Sequence, residues 1–195
     1  MATSAGLAAV AKSVERLLKL RFAESEPTTG TTRTAVDLVT VDKLKSIAGP
    51  ALTIYFYRVD INRTMRAAWS AVGHHDGVGH LPLDLHFLLT AWAQDAEDEL
   101  RIIGRAMELL ESTPILTGPL LHSLNTNVWG AGESIQLLAD EVPAETVLRV
   151  FDLWPVKHKL SVSYLARVMR LDTRPATPDL PVGTIVTAMV PSLTS

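Results

Sequence analysis

Apolar and polar residues alternate with a period of two from Leu81 to Thr90. Leu81, Leu83, Leu85, Phe87 and Leu89 form one row; Pro82, Asp84, His86, Leu88 and Thr90 form the other. This pattern predicts a β-strand with one fully apolar face. An acidic run follows (Asp95, Glu97, Asp98, Glu99), and then Leu100, Ile103, Met107 and Leu110 recur at helical spacing. Acids in a first turn, with Arg101 and Arg105 further along, suit the helix dipole. The segment therefore reads as a strand feeding an amphipathic helix, and nothing in it looks like a catalytic centre.

The same patterns organise the rest of the chain. Ser4 is placed to cap a helix running to about Leu20, with Leu7, Val10, Ala11, Val14, Leu17 and Leu18 as its apolar stripe. Lys12, Glu15, Arg16 and Lys19 fall on the opposite face. Residues 23–34 are polar, with glycine and proline, and predict a loop. Val36–Val41 predicts a short strand, and Leu52–Ile61 a longer one after the Gly49-Pro50 turn. The longer one is apolar on both faces, Leu52, Ile54 and Phe56 against Tyr55, Tyr57 and Val59, which favours an interior position in a sheet or an assembly. A short helix around Met65–Ala71 precedes the glycine-rich GHHDGVGH. Residues 115–132 read as irregular, Glu133–Ala139 as a strand, and Pro143 as the start of a short helix that Pro155 stops after Trp154. In Leu160–Leu171, Leu160, Val162, Tyr164, Ala166 and Val168 alternate with Ser161, Ser163, Leu165, Arg167 and Met169. The sum is one α/β (α+β) domain over residues 1–172, with a mixed or mostly antiparallel sheet flanked by helices. Residues 173–195 form a separate proline-rich extended arm ending in the β-prone stretch Thr184–Val190.

Composition narrows the functional classes. A 195-residue chain folded as one domain buries roughly 70% of the surface its unfolded form exposes. The absence of cysteine excludes disulfides, thiol catalysis and zinc–thiolate sites. A net charge of −3 without a basic stripe weighs against nucleic-acid binding. No apolar run reaches the length of a membrane span, and the N-terminus lacks the charged start of a signal peptide. A soluble protein made in the cytoplasm, with no membrane partner, is the expectation.

One cluster tempts a catalytic reading. His74, His75, Asp76 and His80, with His86 downstream, carry metal-ligating groups. They lie in a glycine-rich loop rather than at rigid ligand spacing, so solvent-facing histidines are the better account, and no metal or other cofactor is expected. Asp84 and His86 share a strand face, as an acid–base pair would, although such pairs more often face solvent or a neighbouring subunit. The Gly-x-Ser-x-Gly, Walker A and dinucleotide-binding patterns are absent. The four tryptophans are spread along the chain as packing anchors rather than gathered as a ligand cage.

Three segments resemble one family, the cap or tail-terminator proteins of contractile injection systems. TIYFYRVDINRTMR (53–66) is similar to that family's strand through Tyr57, Arg58, Val59, Asn62 and Arg66. LPLDLHFLLTAWA with IIGRAMELLESTPIL resembles its central strand and following helix, through Leu83, Asp84, Leu85, His86, Leu88, Leu89, Thr90, Ala91 and Gly104. FDLW and KLSVSYLARVMRLD add Trp154, Ser161 and Tyr164. Phe56 and Phe87 stand where the family has leucine and tyrosine, and the arm after Asp172 matches less closely. The resemblance implies a tail-terminator-like fold and a non-enzymatic part, a homohexameric ring that ends inner-tube and sheath polymerisation and ties the two together. Its partners would then be further copies of itself, the inner tube protein and the sheath protein, in a particle assembled in the cytoplasm or released outside the cell. A phage-type neck or tail-completion protein, or a metal-dependent enzyme built on the histidines, is the alternative. An apolar strand at the end of an arm fits pairing with another sheet edge. Thr184, Ile185, Val186, Thr187, Ala188, Met189 and Val190 are therefore candidate interface residues, together with Arg58, Asn62 and Arg66.

Overall fold

The computed structural model describes residues 5–69, 79–122, 128–130, 132–152 and 154–172. Six strands form one mixed sheet in the order β1-β2-β3-β6-β5-β4. They are β1 (Ala35–Leu38), β2 (Ala51–Ile61), β3 (His80–Trp92), β4 (Ile115–Thr117), β5 (Ser134–Ala139) and β6 (Ser161–Asp172). Among the described residues, only β1 and β2 run parallel, and the other pairs are antiparallel. The helices are α1 (Gly6–Glu24), α2 (Arg63–Arg66), α3 (Ala96–Ser112) and α4 (Ala144–Asp152). The mixed sheet of the sequence reading is present, and so is the strand–helix unit, β3 leading to α3. Asp95 caps α3, its carboxylate accepting from the Asp98 N–H at 2.8 Å. Ser4 lies outside the described residues.

β3 sits at the centre because both of its faces can be buried. Its odd row, Leu83, Leu85, Phe87, Leu89 and Ala91, packs with Leu52, Ile54, Tyr164 and Ala166 beneath α1 and α3. On the other face Leu88 and Trp92 join Val39, Leu44, Ala51, Phe151 and Trp154, so α4 and a 3-10 turn at Val41–Ser46 cover that end. Tyr55 meets Trp154 edge-on at 5.1 Å between ring centres. Trp92 donates its indole N–H to Thr53 Oγ1 at 2.9 Å, which satisfies a buried donor.

Several sequence expectations shift by a residue or by a face. Two bulges explain most of this. Phe56 pairs with Phe87 but Arg58 with His86, so Tyr57 is an extra residue in β2. Beyond it the alternation inverts: Val59 leaves the Tyr55 face, and Arg58 and Asp60 join it. A second slip in β6, between Ala166 and Met169, puts Met169 in the core with Tyr164 instead of opposite it. In α3 the buried stripe is Ile102, Ile103, Ala106, Leu109 and Leu110, whereas Leu100 (62% exposed) and Met107 point outward. Both stripes have helical spacing; the wider one, which uses Ala106, wins because it presents more apolar area to the sheet. The stretch after α3, expected to be irregular, contains the three-residue β4.

Glu15 departs most usefully from expectation. It faces inward rather than to solvent, with its side chain only 8% exposed. Its carboxylate accepts from Lys12 Nζ at 2.6 Å, Lys19 Nζ at 2.9 Å and the Leu38 N–H at 3.2 Å, which ties α1 to the end of β1. Burial alone would raise its pKa, but the two lysines and the amide overcome that and hold it at about 2, below the ordinary 4.5. A depressed carboxylate contributes its stability above the unfolded pKa and loses it as pH falls towards the folded one. Since both lysines stand half in water, the contribution is about 1–2 kcal/mol. Denaturant titrations should therefore show Glu15→Gln less stable at pH 7, with the gap from the unsubstituted chain closing between pH 4.5 and 2. A constant gap across that window would contradict this account.

Candidate functional site

The bulge in β2 builds a polar patch on the sheet face that α4 leaves uncovered. Arg58 and Asp60 now project on the same side as Asp84 and His86 of β3 and Ser163 and Arg167 of β6. His86 is 6% exposed, and both ring nitrogens are engaged. Nδ1 lies 2.7 Å from Asp140 Oδ2, Nε2 lies 3.3 Å from Asp60 Oδ2, and the Arg58 guanidinium is 3.1 Å from Nε2. Ser163 Oγ donates to Asp140 at 3.3 Å and shares a hydrogen bond of 3.1 Å with the Tyr57 hydroxyl. Burial pushes the Tyr57 phenol up; the Ser163 bond opposes this and the Asp140 charge adds to it. Three strands, β2, β3 and β6, and the loop after β5 are thus fastened together by one network.

Asp84 and His86 do share a face, but they are not each other's partners. Asp84 accepts from Asn62 Nδ2 at 3.0 Å, with Arg167 Nε 3.9 Å away. Asp140, the real neighbour of His86, comes from 54 residues further along the chain. No local spacing could have announced it. The arrangement suits fastening better than chemistry: the described partners of the Ser163 hydroxyl are Tyr57 and Asp140, so His86 is not set to activate it as a nucleophile.

The remaining candidates divide. Asn62 is 4% exposed; its carbonyl oxygen accepts from the Met65 N–H at 3.0 Å and caps α2, so its polar atoms are used within the chain. Arg58 is half-exposed and holds Asp60 at 3.0 Å through Nε, while Arg66 is exposed. His80 is buried against Asp172, joining the start of β3 to the end of β6, and Arg170 reaches the same carboxylate at 3.2 Å. His74, His75, Asp76 and the whole stretch Thr184–Val190 lie outside the described residues. Among the described residues, no group of three or more histidine, aspartate or glutamate side chains is placed to hold a metal ion. No helix among them is long and apolar enough to cross a membrane.

A second feature lies along the edge of the sheet. β1 covers β2 only from Ala51 to Ile54, and Val39 adds one more bond to the Ile54 carbonyl at 3.0 Å. From Tyr55 to Ile61 no described strand pairs with the outer side of β2. On the helix side of this open edge lies a groove of about 600 Å³, floored by Phe56, Val59 and Leu85 and walled by Leu7, Ala11 and Leu38. Val59 (48% exposed) shows apolar surface there, and Ile61 (49%) is exposed further along the same strand.

Comparison with known proteins gives consistent results. The family model of the Pvc16 N-terminal domain matches residues 9–184. Among solved structures, the sheath/tube terminator of PVC, an extracellular contractile injection system, in its extended state, superposes with a TM-score of 0.59 at 15% identity. That match covers 100% of this chain and 66% of the other. The tube-terminating cap of the anti-feeding prophage gives a TM-score of 0.56 at 11% identity, over 94% of this chain and 60% of that one. The chain thus spans less than two thirds of the length of either terminator. No curated protein matches significantly.

Proposed function

Because the chain belongs to the Pvc16 N-terminal domain family, we propose that it is a structural cap, the terminator that ends the inner tube and sheath of a contractile injection particle and couples them at that end. It acts without catalysis, as a closed, six-fold ring of identical copies, and its partners are those copies, the tube protein and the sheath protein. The ring is assembled in the cytoplasm as part of the particle. The observation that carries the reading is the similarity of fold to two terminators, over at least 94% of this chain.

The physical demands of termination agree with the geometry. A polymer of exchanged strands stops growing when its last layer meets a subunit that satisfies its open edges and offers no matching new one. A closed ring meets this demand with heterologous contacts that return on themselves after rotation. A rigid sheet suits the task, and the network around His86 supplies rigidity on the part of the face that α4 leaves uncovered. Residues 1–172 are the folded body in this reading, and residues 173–195 a contact arm.

Particles produced without this chain should show tubes and sheaths of scattered length with bare ends in negative-stain images, and supplying the chain in trans should restore one length and end density. Particles supplied only with residues 1–172 should lack that density although the truncated chain remains folded. Unchanged length and end density in the complete absence of the chain would overturn the cap reading.

A further inference from the structure

We propose that the open edge of β2, Tyr55–Ile61, is the acceptor for the segment Thr184–Val190 of a second copy of this chain, which adds as a strand in the lane that β1 leaves empty. β1 and the added strand would lie end to end. β1 pairs with β2 as far as Ile54, and the chain then turns away through the 3-10 turn at Val41–Ser46. What remains is a stretch of strand edge that no described strand pairs, beside an apolar groove, a combination that templates strand addition.

Length and chemistry select the occupant. The open stretch runs from 55 to 61 and the segment TIVTAMV from 184 to 190, so the two are equally long. The segment carries no charge and is rich in β-branched residues. Alternate side chains of such a strand would enter the groove over Phe56, Val59 and Leu85, covering the surface that Val59 exposes. The opposite row would face the polar side, where Arg58 and Asp60 already neutralise each other at 3.0 Å.

The connection argues for a second copy rather than the same one. Asp172 lies at the Ile61 end of the sheet, because it pairs with His80 while Ile61 pairs with Leu83. Its own empty lane is three strand spacings away, and with the register offset the gap is roughly 15–20 Å. Residues 173–183 contain Pro175, Pro178 and Pro181. Such a composition favours an extended, semi-rigid spacer, about 34 Å long at 3.1 Å per residue. A stiff spacer of twice the needed length overshoots its own edge and reaches the next subunit's.

The chain has no cysteine, so introduced ones report alone. Full-length Val59→Cys is mixed with separate full-length single-cysteine variants at positions 185 to 189, without tube or sheath, and oxidised. Val59 is half-exposed, so its substitution leaves the fold intact. Disulfide-linked dimers should form at alternate positions of the segment and not at those between. Their yield should exceed by on the order of tenfold that of Leu100→Cys, exposed on the outside of α3, because docking raises the effective concentration of the pair. Equal yields at all positions, yields no higher than with Leu100→Cys, or linkage only within one chain in a double variant would each overturn the proposal. The inference rests on the cap reading for its biological use, yet the two fail separately. Loss of end density on deleting 173–195, without the alternating crosslinks, would leave the cap standing and remove this edge.

Discussion

Replacing Phe87 by alanine should lower the unfolding free energy by about 3–5 kcal/mol, the largest effect expected of any single substitution considered for this chain. Phe87 is fully buried at the middle of β3, and β3 is the strand through which both halves of the sheet connect. Its ring stacks on Phe56 of β2 at 4.9 Å and on Tyr164 of β6 at 5.9 Å, so three aromatic rings cross three adjacent strands. Truncation removes the middle ring. The neighbours cannot close the gap, because each is held by its own ladder of backbone bonds. The lost transfer energy and the unfilled cavity then add. Urea titration with two-state analysis measures the loss. Phe87→Leu, which keeps most of the volume, should cost less than half as much, and Leu100→Ala on the exposed face of α3 should stay within about 0.5 kcal/mol. A Phe87→Ala chain as stable as the Leu100→Ala chain would refute this picture of the core.

The second large effect is polar. Asp140→Ala should cost about 2–3 kcal/mol, because it takes the carboxylate from the His86 Nδ1 in a largely dry site and leaves the Ser163 hydroxyl with Tyr57 alone. Asp140→Asn retains an acceptor oxygen at the same place and should cost roughly half of that. The asymmetry between the two substitutions is the informative readout. Equal, small losses from both would mean that the network adds nothing to the sheet face it spans. The Asp140 backbone N–H also bonds the Ser163 carbonyl at 2.9 Å, so the loop itself should stay in place.

Local pattern revealed the elements and missed their phase. The strand–helix unit from Leu81 to Leu110 was legible because its periods are long and clean, two and then 3.6. The inversions at Tyr57 and between Ala166 and Met169 were not, since a bulge is an agreement between two strands and leaves no mark on either alone. The same limit hid Asp140 behind Asp84: a neighbour at sequence distance two is visible in the pattern, and one brought in by the fold from 54 residues away is not. Glu15 looked like a solvent residue because charge normally marks the wet face of a helix. Only the Leu38 amide and two flanking lysines make its burial tolerable. Arg58, Asn62 and Arg66 stood together in one motif, and the fold gives them different surroundings: Arg58 over His86, Asn62 beneath α2, and Arg66 in solvent.

β6 lies between β3 and β5 and is bonded to β3 from Ser161 to Asp172, with its last residue held by His80 and Arg170. Tension applied beyond Asp172 would pull along the strand axis and load every bond of both ladders at once, in shear, rather than peeling them off one by one. A body anchored this way can transmit a sudden tug, such as the recoil of a shortening cylinder, into its central strand without unravelling.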